Sequence, residues 1–119
     1  KGWFYMNETS AKEWLKKAWH DLSGATVLFE ANHYTDTIAY QIHFSCEKIL
    51  KSILAYQNKK IPKIHDLLEL YKIVNDKINL DDDLILLKQL TQYRIKEAYP
   101  TFDRTLPSTS EVKEALDFT

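Results

Sequence analysis

The sequence predicts an all-α fold, an antiparallel up-and-down bundle of four main helices plus a short C-terminal helix. Three observations predict it. Apolar residues recur at helical spacing through most of the chain, helix-start signals precede the periodic runs, and the three prolines fall outside them. Long helices joined by short connections pack antiparallel.

The first helix is expected to begin at Ser10, because Ser10-x-x-Glu13 is a capping box ahead of a periodic run. Trp14, Ala18, Leu22, Ala25 and Phe29 then mark an inner face, with Glu13, Lys17, His20 and Gly24 opposite. It should end near Ala31-Asn32-His33. A second helix is expected from about Asp36 to Asn58, with Ile38, Ile42, Cys46, Ile49 and Ile53 inside, widened by Leu50 and Leu54. Tyr40 and Phe44 fall on its far side, where a single core does not explain them, and suggest a dimer or partner interface. Lys59-Lys60-Ile61-Pro62-Lys63 is a basic linker broken by proline. A third helix should cover about Asp66 to Asn75, with Leu67, Leu70, Tyr71 and Val74 inward. Asp81-Asp82-Asp83 suits the dipole of a fourth, about Asp82 to Ala98, which Tyr99-Pro100 stops. A second capping box, Ser108-x-x-Glu111, opens the last short helix.

Length and composition fit one domain over residues 10–119, with 1–9 as an N-terminal extension. The 45% hydrophobic and 28% charged residues are a globular balance, not a disordered one. A net charge of −1 provides no global field toward nucleic acid or anionic lipid, so any RNA contact must come from a local patch. Cys46 is the one cysteine, which excludes an internal disulfide. No apolar run is long enough to span a bilayer, and no signal-peptide or lipidation motif is present, so no membrane association and a cytoplasmic location are expected.

Arg94 is the most informative residue for chemistry, because it falls in the middle of the fourth helix's apolar face with Leu87, Leu90 and Ala98. A buried charge must be paired, since stranding it costs several kcal/mol. Glu97 and Glu47 are its candidate partners. One reading is an anion-binding or catalytic pocket between the second and fourth helices; another is a structural salt bridge or an arginine reaching the rim. His43, Glu47 and Lys51, at i, i+4 and i+8, form one ridge. Such a ridge can transfer protons or hold phosphate. The same spacing also describes an ordinary helix-surface Glu–Lys pair. His65, at a helix start beside Asp66, is read mainly as a capping or packing residue, and His20 and His33 as surface and turn residues. No histidines and cysteines stand at metal-ligand spacing, so no metal and no cofactor are expected. Gly2 and Gly24 are the only glycines, which excludes a glycine-rich phosphate loop. Lys48, Lys51 and the linker lysines could form a strip for weak RNA contact, or a solvated face; Lys16, Lys17 and Arg104 are the other basic residues noted.

The order of these motifs resembles a known family. Trp14…Ala18…Asp21-Leu22…Ala25…Leu28-Phe29-Glu30, Tyr34…Ile38 and Cys46-Glu47-Lys48-Ile49-Leu50-Lys51 resemble the first two helices of the HEPN (higher eukaryotes and prokaryotes nucleotide-binding) domain. Pro62-Lys63-Ile64-His65-Asp66-Leu67 is similar to that family's Pro-x-Thr-His-Asp-Leu at the start of its third helix. Leu90…Tyr93…Tyr99-Pro100 resembles its fourth-helix ending, Tyr…Arg-Tyr-Pro. Three positions depart from the pattern. His43 and Phe44 stand in place of paired glutamines, Ile64 in place of threonine, and Ala98 in place of the arginine before Tyr-Pro. Arg94 lies one turn earlier, where its guanidinium could reach similar space.

The resemblance, to the small stand-alone prokaryotic type, implies a bundle that is often a homodimer, with its site near the second and fourth helices. It also implies a minimal nucleotidyltransferase as partner, in a toxin–antitoxin pair. The ribonuclease branch carries arginine followed four to six residues later by histidine, a motif absent here because no histidine follows His65. The resulting expectation is a nucleotide- or RNA-binding protein. Glu47, Lys48, Lys51, Tyr93, Arg94, Glu97 and Tyr99 form its ligand site, and Tyr40 and Phe44 its interface. The alternatives are a metal-independent ribonuclease built on His43, Glu47 and Arg94, and a ligand-free interaction module.

Overall fold

The computed structural model describes the backbone of residues 2–57, 59–98 and 107–119, and the side chains of 8–57, 59–92 and 107–119. Five α-helices carry the described residues: α1 (Gly2–Glu30), α2 (Thr35–Tyr56), α3 (Leu67–Val74), α4 (Leu84–Ala98) and α5 (Thr109–Phe118). The all-helical expectation holds, with no strand among the described residues.

The start of the first helix is corrected. α1 does not start at Ser10 but passes straight through it, leaving Ser10 and Glu13 exposed in mid-helix. A capping box marks a start only where the preceding residues leave the helix. Extending a helix gains one bond per residue fixed, whereas a fresh start bears the cost of nucleation. The other end falls as expected. Asn32 takes φ 57°, His33 N–H donates to the Leu28 carbonyl and Asn32 N–H to the Phe29 carbonyl. This 6→1 and 5→2 pair is a Schellman ending, with asparagine in the left-handed position.

α1 and α2 run antiparallel: Gly24 faces Gln41, Ala18 faces Ser45 and Trp14 faces Lys51, so the numbers rise on one helix as they fall on the other. Ser45 Oγ donates to the Ala18 carbonyl (2.9 Å), and Lys48 Nζ meets Asp21 Oδ2 (2.6 Å). Ala11, Ala18 and Ala25, seven residues apart, are all buried; their short side chains let the two backbones come close. Gly24 was expected on the outer side, yet a Cβ there would stand 2.7 Å from Gln41 Oε1 of α2. A residue without a side chain gives no signal to a hydrophobic wheel, so its facing is invisible to periodicity.

Three polar contacts fix the second half of the bundle. Asp66 caps α3, its carboxylate accepting from Leu68 and Glu69 N–H. Thr91 Oγ1 on α4 accepts from Leu67 N–H (3.0 Å). Tyr71 Oη donates to Asp81 (2.7 Å) and accepts from Leu80 N–H (2.8 Å). Asp81–Asp83 form a 3₁₀ turn, so α4 proper begins at Leu84 rather than Asp82. Ser108 caps α5 as the second capping box predicts, accepting from Glu111 N–H (3.1 Å). Ala25, Ile38, Ile42, Leu54, Leu70, Leu90 and Val112, drawn from all five helices, meet in one core.

Asn32 is the position where backbone conformation restricts the side chain most. Replacing it with valine should lower stability by about 1–2 kcal/mol, the cost of a left-handed branched residue, while glycine should be tolerated. Urea unfolding midpoints of the two variants check this.

Candidate functional site: a buried row that grips an exposed histidine

His43, Glu47 and Lys51 do share one ridge of α2, but the ridge faces inward. All three are buried. The solvated Glu–Lys pair that the spacing also allowed is therefore not what forms. Lys51 Nζ bonds Glu47 Oε2 (3.1 Å) with both side chains almost fully covered, and it lies 5.8 Å from the centroid of the Trp14 ring on α1. Removing two opposite charges from water is costly unless the remaining oxygens and protons are satisfied.

The remaining Glu47 oxygen has a partner that spacing did not identify. Oε1 accepts from His65 Nδ1–H at 2.9 Å. His43 reaches the same residue through its backbone, its Nε2–H donating to the His65 carbonyl (2.8 Å). His65 is thus held by its ring and by its main chain, both from α2. It is also held on its C-terminal side, because Asp66 caps α3 and Leu67 N–H bonds Thr91 on α4. Read as a capping residue from sequence, His65 is not the cap; Asp66 is. A carboxylate accepts and does not donate, so the contact places the proton on Nδ1 and leaves Nε2 as the ring's free valence. The ring is not buried: 45% of the His65 side chain is exposed, against 5% for Glu47. A buried ion pair here orients a histidine that faces water. Lys59, Lys60 and Lys63, all exposed, precede it in the linker.

The other expected residues divide clearly. Lys48 is half-buried, bonded to Asp21 and 5.7 Å from the centroid of the Phe44 ring. Tyr40 and Phe44 are half-buried and stack edge-to-face on each other, with centroids 4.7 Å apart. The large exposed apolar side chains lie elsewhere, Leu15, Trp19 and Val27 on α1 among them. Tyr93, Arg94 and Glu97 sit on the last turns of α4 with side chains outside the described residues, and Tyr99 and Arg104 lie outside them altogether. Position 94 follows Thr91 by one turn of that helix. Cys46 takes no part: it is buried, with Sγ 3.6 Å from Thr119 Oγ1, and burial pushes its thiol up to about 11.

The Pro62–Leu67 stretch marks His65 in the sequence, but its bond to Glu47 pairs it with a residue 18 positions earlier, across a helix end and a linker. No periodic pattern encodes such a pair.

A model of the HEPN domain matches residues 11–119. The chain belongs to the HEPN domain family. No match emerged among curated proteins or among solved structures. In this HEPN chain the stretch that carried the third-helix resemblance, His65-Asp66-Leu67, is the segment that α2, α3 and α4 jointly hold. Membership implies a nucleotide- or RNA-related function at the level of the family, and HEPN domains commonly dimerise. No described helix is long and apolar enough to cross a membrane.

Two outcomes test this geometry. Lys51→Met strands the Glu47 carboxylate and should destabilise by about 3–5 kcal/mol; adding Glu47→Gln should recover part of that loss, as denaturant titration of the double-mutant cycle will show. Cys46 should resist iodoacetamide at pH 8, because a thiol raised to about 11 carries little thiolate, and should react once the chain unfolds.

Proposed function

We propose that this HEPN protein binds a nucleotide or single-stranded RNA where the His65 segment meets α4. The observation that carries this reading is the buried His43–Glu47–Lys51 row holding a water-facing imidazole by ring and main chain. A charged pair buried only for stability is poorly justified, since apolar residues of similar volume often serve as well. A charged pair that fixes the tautomer of an exposed ring has a use beyond packing. His65 then presents one nitrogen to a ligand, and Lys59, Lys60 and Lys63 supply positive charge beside it.

In this reading Arg94, one turn beyond Thr91, meets phosphate, and Tyr93 or Tyr99 stacks on the base. Glu97 steadies the arginine. Lys48 lends positive potential from its pair with Asp21, while Glu47 and Lys51 act through His65 instead of touching ligand. The protein acts in the cytoplasm beside a minimal nucleotidyltransferase, in a toxin–antitoxin-type pair, and binds without cutting.

Amide-resolved NMR titration with a nucleotide set and a short single-stranded RNA tests the reading. Shifts should gather at Lys63–Leu67 and Thr91–Arg94; an unperturbed spectrum at millimolar ligand would overturn it. Arg94→Ala, still folded, should weaken binding by about 10- to 100-fold, the worth of a charged hydrogen bond.

A further inference from the structure

The grip on His65 fixes what its ring offers to a ligand. Glu47 is a buried carboxylate, and it accepts the Nδ1 proton at 2.9 Å. Its other oxygen is held by Lys51 (3.1 Å), so it cannot turn away without losing its countercharge. The His65 main chain is fixed as well, by His43 at its carbonyl and by the Asp66 cap that follows. A neutral imidazole with its proton committed on Nδ1 has a lone pair and no proton on Nε2. That nitrogen accepts a hydrogen bond and donates none. It has no partner among the described residues, and 45% of the side chain is open to solvent.

From this geometry we infer that His65 reads the ribose 2′-hydroxyl of a bound ribonucleotide, and so tells RNA from DNA. The inference rests on the binding site proposed above. A phosphodiester oxygen only accepts hydrogen bonds, so it offers the Nε2 lone pair nothing to bind. A 2′-hydroxyl donates, recurs on every ribonucleotide and is missing from DNA.

The other residues of the site leave this task open. In the proposed reading Arg94 and the linker lysines meet phosphate, and Tyr93 or Tyr99 stacks on the base. Lys63 stands two residues before His65. Phosphate contacts hold a strand of either nucleic acid, because both carry the same backbone charge. Stacking is equally blind to the sugar, since every base has a flat face. A fixed acceptor is the one element of the site that distinguishes a ribose from a deoxyribose. Were the ring free to carry its proton on Nε2, it would donate to phosphate and lose that selectivity.

Fluorescence anisotropy with three short uridine strands tests the inference at pH 8, where an ordinary imidazole is neutral. One strand is ribose, one deoxyribose, and one 2′-fluoro, which keeps the ribose shape but cannot donate. The base is the same in all three. The wild type should bind the ribose strand about 5- to 10-fold more tightly than either of the others, the worth of one hydrogen bond. His65→Ala should bind all three alike, at the level of the deoxyribose strand. His65→Lys, which gives Glu47 a donor in place of the ring but cannot accept, should also lose the preference while still binding. Circular dichroism confirms that each variant is folded. Equal binding of the three strands by the wild type would overturn the inference and leave the binding site standing. No binding of any strand would remove both. A ribose preference that persists in His65→Ala and His65→Lys would put the recognition elsewhere and overturn it. So would a His65-dependent preference for cytidine over uridine strands that ignores the sugar, which would assign the ring to a base amine.

Discussion

The second half of this molecule depends on one buried carboxylate. Glu47 lies on the inner side of α2 with neither oxygen left to water: Lys51 takes one and His65 the other. The lysine supplies the countercharge that makes the burial tolerable, and the histidine supplies the second hydrogen bond. Because His65 is 18 residues away, satisfying that carboxylate also fixes where the linker ends and α3 begins. His43 adds a bond to the same residue's carbonyl. Asp66 and Thr91 then hold the next two positions. What reads as a charged ridge on one helix is the anchor of three.

In the proposed reading this arrangement joins stability to function in one place. An all-apolar ridge could have packed α2 against α1 at no desolvation cost. The charged ridge instead spends stability to hold an imidazole in one orientation at the surface, with Nδ1–H committed inward. The position of α4 depends on the same segment through Thr91, so residues beyond Thr91 are placed relative to His65 by a single hydrogen bond and the buried Leu67, Leu87 and Leu90.

Much of this was legible in the sequence where the signal is local. Ser108 with Glu111 is a short-range capping pattern and the first helix ends near Asn32, each where expected, whereas the cap of α3 is Asp66, one residue after the histidine read as capping or packing. The inner faces of α2 and α3 follow from apolar periodicity. Local signals also misled. Ser10 and Glu13 have the capping spacing inside an unbroken helix, and Gly24 packs on Gln41 although the wheel places it on the outer side. The site was legible in part. The His43–Glu47–Lys51 spacing was visible, but not that it faces inward, because charge on a helix is most often solvated. The partner, His65, is tertiary: its pairing arises from how the linker returns over α2, which no window of sequence contains.

The orientation of His65 is the central claim, and its ring nitrogens report it directly. A long-range proton–nitrogen NMR correlation of the imidazoles distinguishes the two tautomers of each neutral histidine. With Glu47 holding the ring, His65 should show the proton fixed on Nδ1, and Glu47→Gln should disturb that signature while the spectrum stays folded. A His65 ring protonated on Nε2, or averaging between tautomers and indifferent to Glu47, would contradict the account.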